Sequence, residues 1–123
     1  MKQQGNEVVM KKHKGWNNTM AWCRHQDIVD SLVKTLQKEY QILENNIEYR
    51  DRTGRVVGEI DILGYKNGEF HLYEVKTGKD KNATAKDQLL RAKELLGLDK
   101  VRLFYVHVPK PCGLQEYIVK EIG

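Results

Sequence analysis

The stretch GEIDILGYKNGEFHLYEVKTG, Gly58 to Gly78, contains two apolar runs separated by Asn67-Gly68. Asn-Gly accepts the positive φ angles of a two-residue hairpin turn, so the runs read as antiparallel strands. Three charged residues interrupt them: Asp61, then Glu74 and Lys76 two apart. A charge in an apolar run needs a partner or a task, because burial without one is costly. Alternation places Phe70, Leu72, Glu74 and Lys76 on one face of the later strand, and His71, Tyr73 and Val75 on the other. By the same rule Glu59, Asp61 and Leu63 are expected to share a face of the earlier strand. Asp61 lies six or seven residues before the turn and Glu74 the same distance after it, so pairing sets Asp61 opposite the Glu74 region.

Two carboxylates at close range repel, and one takes up a proton unless a cation lies between them. Ligands that are all oxygen select Mg²⁺ or Mn²⁺ over zinc. Lys76 is then placed to orient a water or to neutralise charge developing on a phosphate. Taken alone, Glu-x-Lys in a strand equally describes an ordinary ion-pair ladder on a sheet face.

Around this hairpin the pattern is regular. Trp22, His25, Ile28, Val29, Leu32, Val33, Leu36 and Tyr40 recur at helical spacing and predict a first helix, with Asn18-Thr19 as its start. Ile42–Tyr49, Arg55–Tyr65 and Glu69–Lys76 predict three strands. A second helix is expected from about Thr84 to Leu96, stopped by Gly97. VRLFYVHV (101–108) reads as a central strand, and LQEYIVKEI (114–122) as a further one. The expected order is α-β-β-β-α-β in an α/β fold, with a mixed central sheet flanked by helices. Residues 1–18 lack clear periodicity and read as a basic arm, with a short strand at Val8–Met10. Residues 19–123 read as a single domain.

The 123 residues carry 21 Lys and Arg against 17 Asp and Glu, a formal net charge of +4. The positive charge is concentrated. Residues 76–93 hold Lys76, Lys79, Lys81, Lys86, Arg91 and Lys93 against Asp80 and Asp87, and the arm adds Lys2, Lys11, Lys12 and Lys14 against Glu7. A basic patch beside candidate chemistry suits a polyanion; otherwise it is a solvated lysine-rich surface. No apolar run reaches membrane-spanning length and the amino terminus lacks a signal-peptide pattern, so no membrane partner and a cytoplasmic location are expected. Cys23 and Cys112 make no disulfide framework. A zinc site from Cys23, His25, His107 and Cys112 would lack the usual short Cys-x-x-Cys spacing.

GEID followed, after a hairpin, by EVK resembles the PD-(D/E)XK, or restriction-endonuclease-like, nuclease superfamily. Together with the element order, the resemblance covers about residues 20–108. Within the superfamily, GEIDIL and LYEVKTG in a chain this short look like the archaeal Holliday-junction resolvases and the small YraN-like proteins. The resemblance implies a Mg²⁺- or Mn²⁺-dependent deoxyribonuclease with Asp61, Glu74 and Lys76 as catalytic residues. It also implies the Val75 carbonyl as a metal ligand beside Asp61 and Glu74. Many relatives complete the site with a glutamate from the first helix; here the residue on the inward stripe is His25. It is expected to bind metal or position water, the alternative being a half-buried histidine bonded to backbone. Gln88 is expected either to reach the site or DNA, or to serve as a surface or capping residue. Lys79, Lys81, Lys86 and Arg91, with Lys11, Lys12 and Lys14 of the arm, are the expected phosphate contacts. Trp16 or Trp22 could stack on a base, or Trp22 could belong to the core.

Other chemistries are excluded. The one serine, Ser31, falls on the polar side of the first helix, which argues against serine-based catalysis. Gly78-Lys79 lacks the upstream glycine of a phosphate loop, since position 73 is Tyr, and no GxGxxG occurs. The expectation is a structure-selective DNA endonuclease, working as a homodimer if both strands are cut. The alternative is a nucleic-acid-binding module of the same fold with little or no activity.

Overall fold

A computed structural model describes residues 7–11, 24–109 and 116–123. The Asn67-Gly68 turn has the backbone its residues favour, with φ of 50° and 80°. It joins β3 (Val56–Lys66) to β4 (Glu69–Thr77), paired from Lys66↔Glu69 to Ile62↔Tyr73. The other elements are β1 (Glu7–Lys11), α1 (His25–Leu36), β2 (Ile42–Arg50), α2 (Asn82–Leu96), β5 (Val101–Val108) and β6 (Glu116–Ile122). The six strands form one sheet in the order β1-β6-β5-β4-β3-β2. Only β4 and β5 run parallel, and α2 supplies the long connection that parallel neighbours require. From α1 to β5 this is the expected α-β-β-β-α-β core with a mixed sheet. β6 extends that sheet, and β1 pairs with β6 on its outer side.

Two apolar clusters cover the two faces of the sheet. Ile28, Val29, Leu32 and Leu36 of α1 pack on Ile62, Tyr73, Val75, Val106, Val108 and Tyr117. Leu89 and Ala92 of α2 pack on Tyr49, Ile60, Leu72 and Leu103. Gly97 ends α2 in the left-handed conformation. Its N–H donates to the Glu94 carbonyl, and the Leu98 N–H donates to that of Lys93.

Three expectations need correction. The α1 stripe ends at Leu36, so Tyr40 lies beyond the helix, although it still packs on the α1-side core. The start at Asn18-Thr19, with Trp16 and Trp22, lies outside the described residues; Arg24 is extended and α1 begins at His25. The second helix begins at Asn82, two residues earlier than expected.

A further correction bears on function. Glu59, Asp61 and Leu63 do not share a face. Ile60 and Leu63 join the α2-side cluster while Ile62 joins the α1-side cluster, so the alternation of β3 breaks at Asp61. The partner strand breaks at the same level. Pairing runs Asn45↔Ile62 and then Ile47↔Ile60, skipping Asn46, whose φ is 55°. The two glycines of GEIDILG follow this change of face. A Cβ on Gly58 would lie 2.2 Å from the Tyr49 hydroxyl in the α2-side cluster. One on Gly64 would lie 2.7 Å from the Tyr40 ring on the α1 side.

Candidate active site

The site forms where β3 and β4 part company. Their pairing stops at Ile62↔Tyr73, so beyond it the backbone of β4 on the β3 side needs another partner. Asp61 provides one: its Oδ2 accepts the Val75 N–H at 2.7 Å. In an extended strand the N–H and C=O of one residue point to the same side, so the Val75 carbonyl is directed to the same gap. His25, the first residue of α1, brings its Nε2 to 3.0 Å from the same Asp61 oxygen. The negative Asp61 therefore stands at the amino-terminal end of α1, the end that favours an anion. The hydrogen bond to Asp61 raises the pKa of His25, and partial burial opposes the rise.

Glu74 and Lys76 share the α2 face of β4, as alternation requires. Lys76 Nζ lies 3.3 Å from Glu74 Oε2. Glu74 is 4% exposed, and its other oxygen, Oε1, is buried without a hydrogen-bond partner. Burial and then the charge of Asp61 push Glu74 up to about 7, while Lys76 pulls the other way. A carboxyl poised near neutrality beside a second carboxylate is the electrostatic pattern of a functional site.

Gln88 is half-buried on α2, and its Oε1 also lacks a partner. Lys79, Lys81, Lys86 and Arg91 are exposed on α2 and the segment before it. Lys11 belongs to β1, whereas Lys12 and Lys14 lie outside the described residues, as do Cys23 and Cys112. Glu59 is exposed and accepts a 3.4 Å hydrogen bond from Asn46, which also bonds Gln26 of α1.

Sequence reasoning missed Tyr105 and His107. They tether the segment that follows β4. The Tyr105 hydroxyl donates to Asp80 Oδ1 and accepts the Lys81 N–H, both at 2.8 Å. His107 Nε2 donates to the Gly78 carbonyl at 2.7 Å. Tyr105 is paired with Glu74 across the parallel ladder, so the tether stands directly beside the acid. The signal was present: in VRLFYVHV, residues 103, 105 and 107 alternate onto one face, and two of the three are polar aromatics.

The donor set suits a hard divalent cation. Both acids offer oxygen, the Val75 carbonyl adds a third, and the orphaned Glu74 oxygen is the kind of atom that a cation satisfies. Among the described residues no three Asp, Glu, His or Cys side chains gather into a metal-binding group. Mg²⁺ characteristically keeps several waters and takes one or two carboxylates, which two acids can supply.

No family model matches the chain. Over 45 residues it is 44% identical to a UPF0102 protein of Petrotoga mobilis, a match covering 37% of this chain and 35% of that protein. The chain thus matches about a third of that relative's length. Among the described residues no helix is long and apolar enough to cross a membrane.

Proposed function

We propose that the protein is a divalent-metal-dependent deoxyribonuclease of the restriction-endonuclease-like type, acting on branched or otherwise structured DNA. One observation carries the reading. At the point where β3 and β4 separate, Asp61 bonds the N–H of Val75, between Glu74 and Lys76, and one Glu74 oxygen is buried without a partner. The partial likeness to a UPF0102 protein agrees with it, since UPF0102 is a YraN-like group of that superfamily.

Asp61, Glu74 and the Val75 carbonyl would hold Mg²⁺ or Mn²⁺, which would supply Lewis acidity at the phosphate and lower the pKa of water. The chain's own residues do the rest. The Val75 N–H and His25 fix the orientation of Asp61 through its Oδ2. Glu74 would hold the ion as a carboxylate, its proton released to solvent. Lys76, already 3.3 Å from that carboxylate, orients the attacking water or neutralises charge on the phosphate. His25 acts through Asp61 as a positioning residue. Gln88 offers an unpartnered amide to the site or to DNA, and Lys79, Lys81, Lys86 and Arg91 contact backbone phosphates. Two copies, each cutting one strand, make the working unit a homodimer.

The second reading, a binding module with little or no activity, draws on the lack of a three-ligand group among the described residues. Labelled linear, single-stranded, flap and four-way-junction DNA, incubated with Mg²⁺, Mn²⁺ or EDTA, separates the two. Cutting that needs the ion and is lost in Asp61→Ala establishes the nuclease. Salt-sensitive binding with no cutting under either ion establishes the module.

A further inference from the structure

The turn between β2 and β3, DRTGR, is built more rigidly than a solvent loop requires. The Asp51 carboxylate accepts hydrogen bonds from the Thr53 N–H, the Thr53 hydroxyl and the Arg55 N–H, at 2.9, 2.5 and 3.1 Å. Backbone bonds link Asp51 N–H to the Arg55 carbonyl and Gly54 N–H to the Asp51 carbonyl, and Arg50 donates to the Gly54 carbonyl at 2.8 Å. Gly54 takes φ 89°, which only glycine adopts readily. All three bonds to the Asp51 carboxylate fall on one oxygen, Oδ1. Among the described residues neither Arg52 nor Arg91 has a carboxylate partner.

These residues enclose a cleft of about 340 Å³ against α2, lined by Arg50, Asp51, Arg52, Arg91, Glu94 and Leu95. Three arginines and two acids line it; Arg50 is engaged by Glu48 at 3.4 Å and by the Gly54 carbonyl, which leaves Arg52 and Arg91 as the cations for a ligand. Near it, Tyr49 packs in the α2-side cluster over Gly58. Burial raises the pKa of the Tyr49 hydroxyl; after burial, Arg91 lowers it and Glu74 raises it.

We infer that this arginine cleft binds a backbone phosphate of the DNA. The inference rests on the nuclease reading above. A guanidinium fork matches phosphate oxygens in pairs, and the pinned turn presents its arginines with little ordering left to do on binding. Arg50 and Arg52 come from a segment outside the basic stretch at 76–93, so the DNA path extends across the α2 face to the β2–β3 turn.

The test is DNA binding in EDTA over a range of NaCl, using four-way-junction and linear duplex DNA. The Arg52→Ala/Arg91→Ala double variant is compared with a charge-matched control, Lys34→Ala/Lys38→Ala, whose residues are exposed on and just after α1. Circular dichroism confirms that both fold. The double arginine variant should lose roughly tenfold or more in affinity at low salt, and its salt slope should fall by about two, one for each phosphate-contacting charge removed. Arg52→Lys/Arg91→Lys, which keeps the charges but not the fork, should keep the slope and lose part of the affinity. The inference is overturned if the arginine variant binds like the parent, or no more weakly than the control. If the parent binds and cuts DNA while the arginine variant matches it, only the cleft is lost. If the parent binds no DNA at all, the nuclease reading falls with it.

Discussion

Asp61 meets the gap between two strands with one oxygen doubly bonded, to the Val75 N–H and to His25, and this fixes what each substitution does. Asp61→Ala leaves a buried N–H without its acceptor, so it should lower stability by about 1–3 kcal/mol in urea unfolding as well as abolish cutting. Lys76→Met keeps most of the side-chain volume but strips Glu74 Oε2 of its cation. Metal-dependent cleavage should then fall by about 10²–10³, with the unfolding midpoint little changed. The Glu74 titration gives a prediction with a definite sign. Its folded pKa, about 7, exceeds the ordinary value of 4.5, so between these values the folded chain holds more protons than the unfolded one. Stability of the metal-free protein should therefore fall as pH rises through this window. His25, whose pKa is also raised, adds in the same direction, because its stabilising contribution is lost as pH rises past its folded value. Thermal unfolding in EDTA from pH 5 to 8 should show a falling Tm, and Glu74→Gln should flatten the fall.

At the scale of the element, most of the hairpin was legible and its most consequential feature was not. Asn67-Gly68 announces the turn, and counting outward from it places Asp61 opposite Glu74, the register that the observed pairs extend to. Alternation also sorts β4 correctly, because that strand is regular throughout. It fails on β3. The break at Asp61 depends on Asn46 in β2 taking a left-handed backbone, and on the two strands separating above Ile62. Both are tertiary facts, and a period-two pattern cannot carry them. The glycines were a missed clue: Gly58 and Gly64, six apart, should face the same way on a regular strand, yet each admits an aromatic ring on an opposite face. Gly58→Ala should force the Tyr49 ring from its seat. The expected cost is about 1–3 kcal/mol in denaturant unfolding, as for other overpacked cores. An unchanged midpoint would mean that the Tyr49 ring can move freely in the α2-side cluster.

For the whole molecule, the sheet brings together what the chain separates. The first acid comes from β3, the second acid and lysine from β4, the tethering aromatics from β5 and the histidine from α1. Crossing through α2 sets β5 parallel to β4, so Glu74 and Tyr105 lie side by side at the carboxyl ends of the two parallel strands. Element order was readable because helical and strand periods alternate cleanly from residue 25 to 108. Tyr105 and His107 were not identified because their task, holding the 78–81 segment, exists only once β5 lies beside β4. One site per copy and two strands to cut lead to a further expectation. Sedimentation equilibrium at micromolar concentration should give twice the chain mass, and a monomeric mass with DNA bound would limit the proposed cleavage to single-strand cuts.

The central claim is that Asp61 and Glu74 jointly hold a divalent ion, and calorimetric titration of Mn²⁺ into the metal-free protein at pH 7.5 tests it most directly. The account predicts saturable, stoichiometric binding that weakens at least about tenfold in both Asp61→Asn and Glu74→Gln, each folded by circular dichroism. Equal affinity in the parent and both variants would contradict it.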